Sequence, residues 1–113
     1  MAKITWYGHA AFKMELGDKI LIIDPMLNQN PTSPVRSSDI VEADAVYVTH
    51  DHPDHLGDAF EICKRTGALF AGVYELAEYA AQNGVKNIAR LNVGGSVSLD
   101  SVKQTVVHAV QSA

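Results

Sequence analysis

An α/β fold on a mixed β-sheet follows from how apolar residues are spaced along these 113 residues. The chain opens with three short β-branched stretches separated by turn residues, which make a meander. From residue 43 onward, apolar runs of strand length alternate with stretches of helical spacing, the pattern of βαβ units. A composition of 47% hydrophobic and 19% charged residues belongs to an ordinary soluble domain with one core. A chain of this size buries roughly two thirds of its unfolded surface. Residues 1–113 therefore read as one domain.

Ile4–Tyr7, Ala11–Leu16 and Lys19–Ile23 are the expected opening strands, the last two joined by a tight hairpin at Gly17-Asp18. His9 falls in the first turn beside Gly8, where a polar side chain commonly bonds to backbone. Asp24-Pro25 ends the apolar run Ile20-Leu21-Ile22-Ile23 and so puts a carboxylate where a buried strand stops. Two roles are open to Asp24: fixing the ring N–H of a metal-bound histidine, or capping the turn that follows. Met26–Ser38 is the longest irregular stretch, with Asn28, Asn30, Pro31, Ser33 and Pro34, and is expected to be a flexible loop able to cover substrate. Ala43–Val48 reads as a buried strand.

Past residue 56, Gly57–Glu61 has the marks of a helix start, with Asp58 as the cap and Glu61 three residues on, and Gly67 marks its end. Phe60, Cys63 and Lys64 share a face of this helix, which makes Cys63 a small buried hydrophobe and not a nucleophile. Ala68–Gly72 is a strand, Tyr74–Asn83 a helix stopped by Gly84, and Asn87–Leu91 a further strand. Tyr74, Leu76 and Tyr79 follow helical spacing and are read as packing residues. Gly94-Gly95 marks a turn, and Val97–Leu99 with Val102–Val107 forms a last hairpin around Asp100-Ser101.

Thr49-His50-Asp51-His52-Pro53-Asp54-His55 carries the chemistry: three of the five histidines and two carboxylates within seven residues, at a strand's end. Neutral imidazole and carboxylate are the ligands that zinc prefers and that manganese and iron accept. Pro53 fixes its own φ and lacks an N–H, so the motif is expected in a tight loop and not in a continuing strand or helix. His50 and His52, two residues apart, can grip one ion, while the adjacent Asp54 and His55 reach a second. Paired ions about 3.5 to 4 Å apart recur in hydrolytic sites. The plainer reading of such a tract is metal binding without catalysis.

This H-x-H-x-D-H motif after an apolar strand resembles the signature of the metallo-β-lactamase superfamily of metal-dependent hydrolases. Trp6-Tyr7-Gly8-His9-Ala10-Ala11-Phe12, Ile22-Ile23-Asp24-Pro25, Asn30-Pro31 and His55-Leu56-Gly57-Asp58 make it similar to the metal-dependent hydrolases related to the ascorbate-phosphate lactonases. The resemblance implies the N-terminal half of an αββα sandwich, a mixed β-sheet with helices on one face, so that residues 1–113 form a half-domain. It implies His50, His52, Asp54 and His55 as metal ligands, with Asp54 also orienting a water nucleophile and His9 near the pocket. Family members carry a further histidine in a run like Ala-x-His-Ser-Ser. Here the run is Ala109-Val110-Gln111-Ser112-Ala113, so that Gln111 takes that position unless His108, three residues earlier, replaces it.

The cofactor expected is Zn2+, one ion or two, with Mn2+ or Fe2+ as alternatives. The expected reaction is hydrolysis of a small ester, lactone or phosphoester by metal-activated water. The alternative is a catalytically inactive metal-binding half-domain that needs a second half. A net charge of -4 and the absence of any Lys/Arg cluster argue against nucleic acid as a partner. No apolar run approaches membrane-spanning length and Cys63 is the sole cysteine, which suits a cytoplasmic protein. An uncovered apolar sheet face is expected to pair with a second copy, as a homodimer, or with a complementary C-terminal half.

Overall fold

The computed structural model describes residues 2–50, 53–91, 96–99 and 102–105, with the backbone course alone for 53–54, 96–99 and 102–105. Strands β1 (Ala2–Trp6), β2 (Phe12–Leu16) and β3 (Lys19–Ile23) form an antiparallel meander. Strands β4 (Ala45–Tyr47), β5 (Leu69–Val73) and β6 (Ile88–Leu91) continue it in parallel, giving a six-stranded mixed sheet in the order β1-β2-β3-β4-β5-β6. Strands β7 (Ser96–Leu99) and β8 (Val102–Thr105) make a separate antiparallel pair, shorter than the expected hairpin, whose residues 106 and 107 lie outside the described residues. The helices are α1 (Pro53–Leu56), α2 (Ala59–Thr66) and α3 (Tyr74–Gln82), with a 3-10 turn at Ser37–Asp39. None among the described residues is long and apolar enough to cross a membrane.

Local chemistry sets the junctions. Leu16 pairs with Lys19 across a two-residue turn, and Gly17 supplies its φ of 62°, which an L side chain resists. Asp44 registers β4 against β3: its N–H donates to Ile20 O at 2.8 Å and its Oδ2 accepts from Ile20 N at 2.7 Å. Gly67, at φ 77°, ends α2 with its N–H on Cys63 O.

The two faces of the sheet differ. One cross-strand row runs Thr5, Lys13, Ile22, Val46, Phe70, Ile88. It is polar over β1 and β2 and becomes core where α2 and α3 cover β4 to β6. That core joins Ile22, Val46 and Phe70 to Ile62 and Cys63 of α2 and to Leu76, Ala77 and Ala80 of α3. The Phe60 ring meets Phe70 and Tyr79 edge-on at 5.4 and 5.6 Å. The opposite face is apolar across its width, in the rows Ile4-Met14-Leu21-Ala45-Leu69 and Trp6-Phe12-Ile23-Tyr47-Ala71-Ala89. Its centre is buried, but Ile4 and Trp6 are 62% and 63% exposed.

Three expectations need correction. Residues 53–56 are a helical turn and not a loop. A proline at the first helical position loses only an N–H that would be unbonded anyway, and its φ is already helical. Met26–Ser38 is irregular but anchored, because Leu27, Asn30 and Ser37 are buried and the 3-10 turn closes it. Asp58 stands at the N-cap position of α2, yet its carboxylate makes no cap bond there, and Glu61 accepts from Ser37 Oγ at 2.8 Å.

Candidate metal centre

The site forms where β3 and β4 end side by side. Asp24 follows β3, its N–H still on Tyr47 O at 2.9 Å, and then turns sharply with φ 47°. Asp tolerates that left-handed conformation better than most residues. The turn points a carboxylate that is 3% exposed at the residues following β4. Its Oδ1 accepts from Thr49 N at 2.8 Å, and its Oδ2 accepts from Thr49 Oγ1 at 2.7 Å. The same Oδ2 lies 2.8 Å from Nδ1 of His55, carried by α1. Thr49 Oγ1 in turn lies 2.9 Å from His50 Nδ1.

Donor counting assigns both rings. An ionised carboxylate only accepts, so His55 carries its proton on Nδ1. The single hydroxyl proton of Thr49 is committed to Asp24, so His50 Nδ1 must also be the donor. In the neutral ring, a proton on Nδ1 leaves the lone pair at Nε2, the form in which histidine ligates a metal. The two rings lie 4.0 Å apart between centroids. His9, at φ 52°, places its ring 5.5 Å from that of His55, and its carbonyl accepts from Trp6 Nε1 at 2.8 Å.

The residues singled out from sequence therefore divide. His50, His55, Asp24 and His9 come together. Asp54 lies on α1 next to His55, with its backbone alone described. His52, His108 and Gln111 lie outside the described residues. Among the described residues, no three His, Cys, Asp or Glu side chains form a set that could hold an ion. The donor chemistry nonetheless suits one, since two imidazoles in the ligating tautomer stand beside a carboxylate that fixes their orientation. Sequence reasoning gave Thr49 no role, although a hydroxyl between a strand end and the first histidine was the available signal. Cys63 is far from this chemistry in character: burial pushes its thiol up to about 12.

The mixed sheet, with its helices on one face and histidines gathered where β3 and β4 end, defines a metallo-β-lactamase-type half-sandwich. The chain belongs to the beta-lactamase superfamily, whose domain matches residues 3–111. It is 49% identical to a metal-dependent hydrolase of Methanopyrus kandleri, over 97% of this chain and 47% of that protein. It superposes on a metallo hydrolase from Ignicoccus hospitalis with a TM-score of 0.78 at 38% identity, over 88% of this chain and 43% of that one. A diiron β-hydroxylase from Streptomyces venezuelae shares the fold, with a TM-score of 0.70 at 18% identity over 88% of this chain and 22% of its own. The chain thus spans about half the length of the relatives it matches.

Proposed function

We propose that this chain carries the metal-binding half of a metal-dependent hydrolase acting on a small ester, lactone or phosphoester. The observation that carries this reading is the hydrogen-bond chain from Asp24 through Thr49 to His50 and directly to His55, which supports both rings as donors of Nε2 to an ion. Such outer partners raise ligand basicity and hold ring orientation. His50 and His52 would hold one ion, with His108 or Gln111 completing it, and Asp54 with His55 would hold a second. Zinc is the ion this donor set suits best, with manganese or iron as alternatives. A bound divalent ion supplies Lewis acidity and brings the pKa of water down to about 7. Within the chain, Asp24 keeps the His55 proton on Nδ1, Thr49 does the same for His50, and Asp54 orients the attacking water. Relatives of twice this length named as metal-dependent hydrolases support the assignment.

The apolar face bearing Ile4 and Trp6 supports a second proposal, that a second copy of this chain packs there as a homodimer. A complementary C-terminal half is the competing occupant. Coverage of about half of each relative favours the reading that turnover needs that second half.

The test is metal content per chain together with solution mass, on protein purified without chelator and on His52→Ala, followed by an ester, lactone and phosphodiester screen. Close to two metals per chain in a dimer, lost in the variant, is the expected result. One metal or fewer, indifferent to His52, would refute the hydrolase site. A monomer at micromolar concentration would refute the dimer. Full metal occupancy without turnover would favour the inactive half-domain.

A further inference from the structure

Asp58 departs from the ordinary rules of helix entry. An aspartate at the N-cap normally accepts from the N–H groups of its own helix, but the Asp58 carboxylate reaches across to another segment. Its Oδ2 accepts from both Leu27 N and Asn28 N at 2.9 Å. Its backbone N–H donates to Pro25 O, also at 2.9 Å. One residue earlier, Gly57 at φ 47° lies so close to the same segment that a Cβ would fall 2.4 Å from Met26 Cα and 2.6 Å from Pro25 O. Residues 25–28 and 57–58 are therefore clamped backbone to backbone.

This clamp adjoins the histidine site on both chain segments. Asp24, immediately before Pro25, is already fixed to the sheet through Tyr47 O and Thr49. His55 comes from a different segment. It rides on a helix of four residues, far below the length that sustains itself. Leu56 packs that helix against the core. The clamp at Gly57 and Asp58 ties its C-terminal end to residues 25–28, just after the residue whose ring faces Asp24.

We propose that Asp58 is a positioning residue for this centre: by latching residues 27 and 28 it seats α1 and so sets the Asp24–His55 hydrogen bond. Its significance for a bound ion rests on the metal-hydrolase reading above, whereas the latch itself does not. An Asn retains an acceptor for both N–H groups. A Ser is too short to span the gap but caps α2 conventionally, so the fold is kept while the latch is lost.

The experiment compares the wild-type chain with Asp58→Ser, Asp58→Asn and Glu61→Ala. The last variant removes a different tie between the irregular stretch and α2, the bond from Ser37. Long-range 1H–15N spectra of the metal-free chain read the tautomer of His55, and Co2+ titration followed by visible absorption reads affinity. Asp58→Ser should lose the pure Nδ1–H form of His55 and bind Co2+ about tenfold or more weakly, the loss typical of outer-partner removal. Asp58→Asn and Glu61→Ala should keep both properties. The proposal is overturned if His55 is unchanged in Asp58→Ser, if Asp58→Asn fails as Ser does, or if Glu61→Ala reproduces the loss. Should the wild-type chain take up no Co2+, the metal reading falls, and the tautomer spectra alone decide the role of Asp58.

Discussion

Replacing Asp24 by Asn exchanges one oxygen for an NH2 group and leaves the shape intact. Asn accepts the left-handed φ of 47° as readily as Asp, so backbone strain does not enter. With Oδ1 still facing Thr49 N, the new NH2 meets both Thr49 Oγ1 and His55 Nδ1. Each must then accept. His55 shifts its proton to Nε2, and the Thr49 hydroxyl turns to donate to His50 Nδ1, which moves that proton to Nε2 as well. A single substitution thus converts both rings from the ligating tautomer to the other. Bonds to a charged acceptor contribute about 1.5–3 kcal/mol and neutral ones about 0.5–1.5. At about 1–1.5 kcal/mol lost for each, three weakened bonds cost about 3–4.5 kcal/mol of stability. Metal affinity should fall by about 10- to 100-fold. Urea unfolding measures the first quantity, metal titration the second, and ring nitrogen spectra the tautomers themselves. Wild-type affinity in Asp24→Asn, with both rings unchanged, would refute the donor counting on which the site was built.

Two further outcomes test the body of the fold. Phe70→Ala removes a fully buried ring from the centre of the main core, and the expected loss is about 3–5 kcal/mol by urea unfolding; a loss under about 1 kcal/mol would mean that α2 and α3 do not pack as described. Cys63 should resist a thiol reagent at pH 8 in the folded chain and react at once in denaturant. Because burial raises its folded pKa from 9.0 to about 12, the unfolded chain ionises first. Cys63 therefore adds no pH dependence below about 9, and stability should decline from there toward 12 by at most ~1.4 kcal/mol per pH unit. Tyr7 and Tyr47, raised from 10.0 mainly by burial, push the same way. A melting temperature that rises across this range would contradict the sign.

Much of the fold could be read from spacing alone. Lys19–Ile23 is the third strand to the residue, and the helices at 59 and 74 end at the glycines that were expected to stop them. These features are local: a periodic apolar face, a turn dipeptide, a cap. Asp58 shows where local reading ends. Its position before a helical stretch marks a cap, but its partners lie 31 and 30 residues away, and no pattern near residue 58 encodes them. Asp24 is intermediate, since a carboxylate at the end of a buried strand signals that something must use it. That Thr49 would share it, and that the His50 tautomer would depend on that sharing, follows only from β3 and β4 lying side by side.

The sheet's strand order has a consequence for synthesis. Among the described residues, every strand from β1 to β6 pairs only with its neighbour in sequence. A chain emerging from the ribosome therefore never waits for a distant segment to complete a pairing, since each new strand finds its template already formed. The β3–β4 junction is a long excursion without an α-helix, 21 residues between Ile23 and Ala45 with a 3-10 turn alone among them. Asp24 is made early, and its partners Thr49 and His55 leave only after that long excursion. The hydrogen-bond chain of the histidine site should accordingly close only once α1 is out.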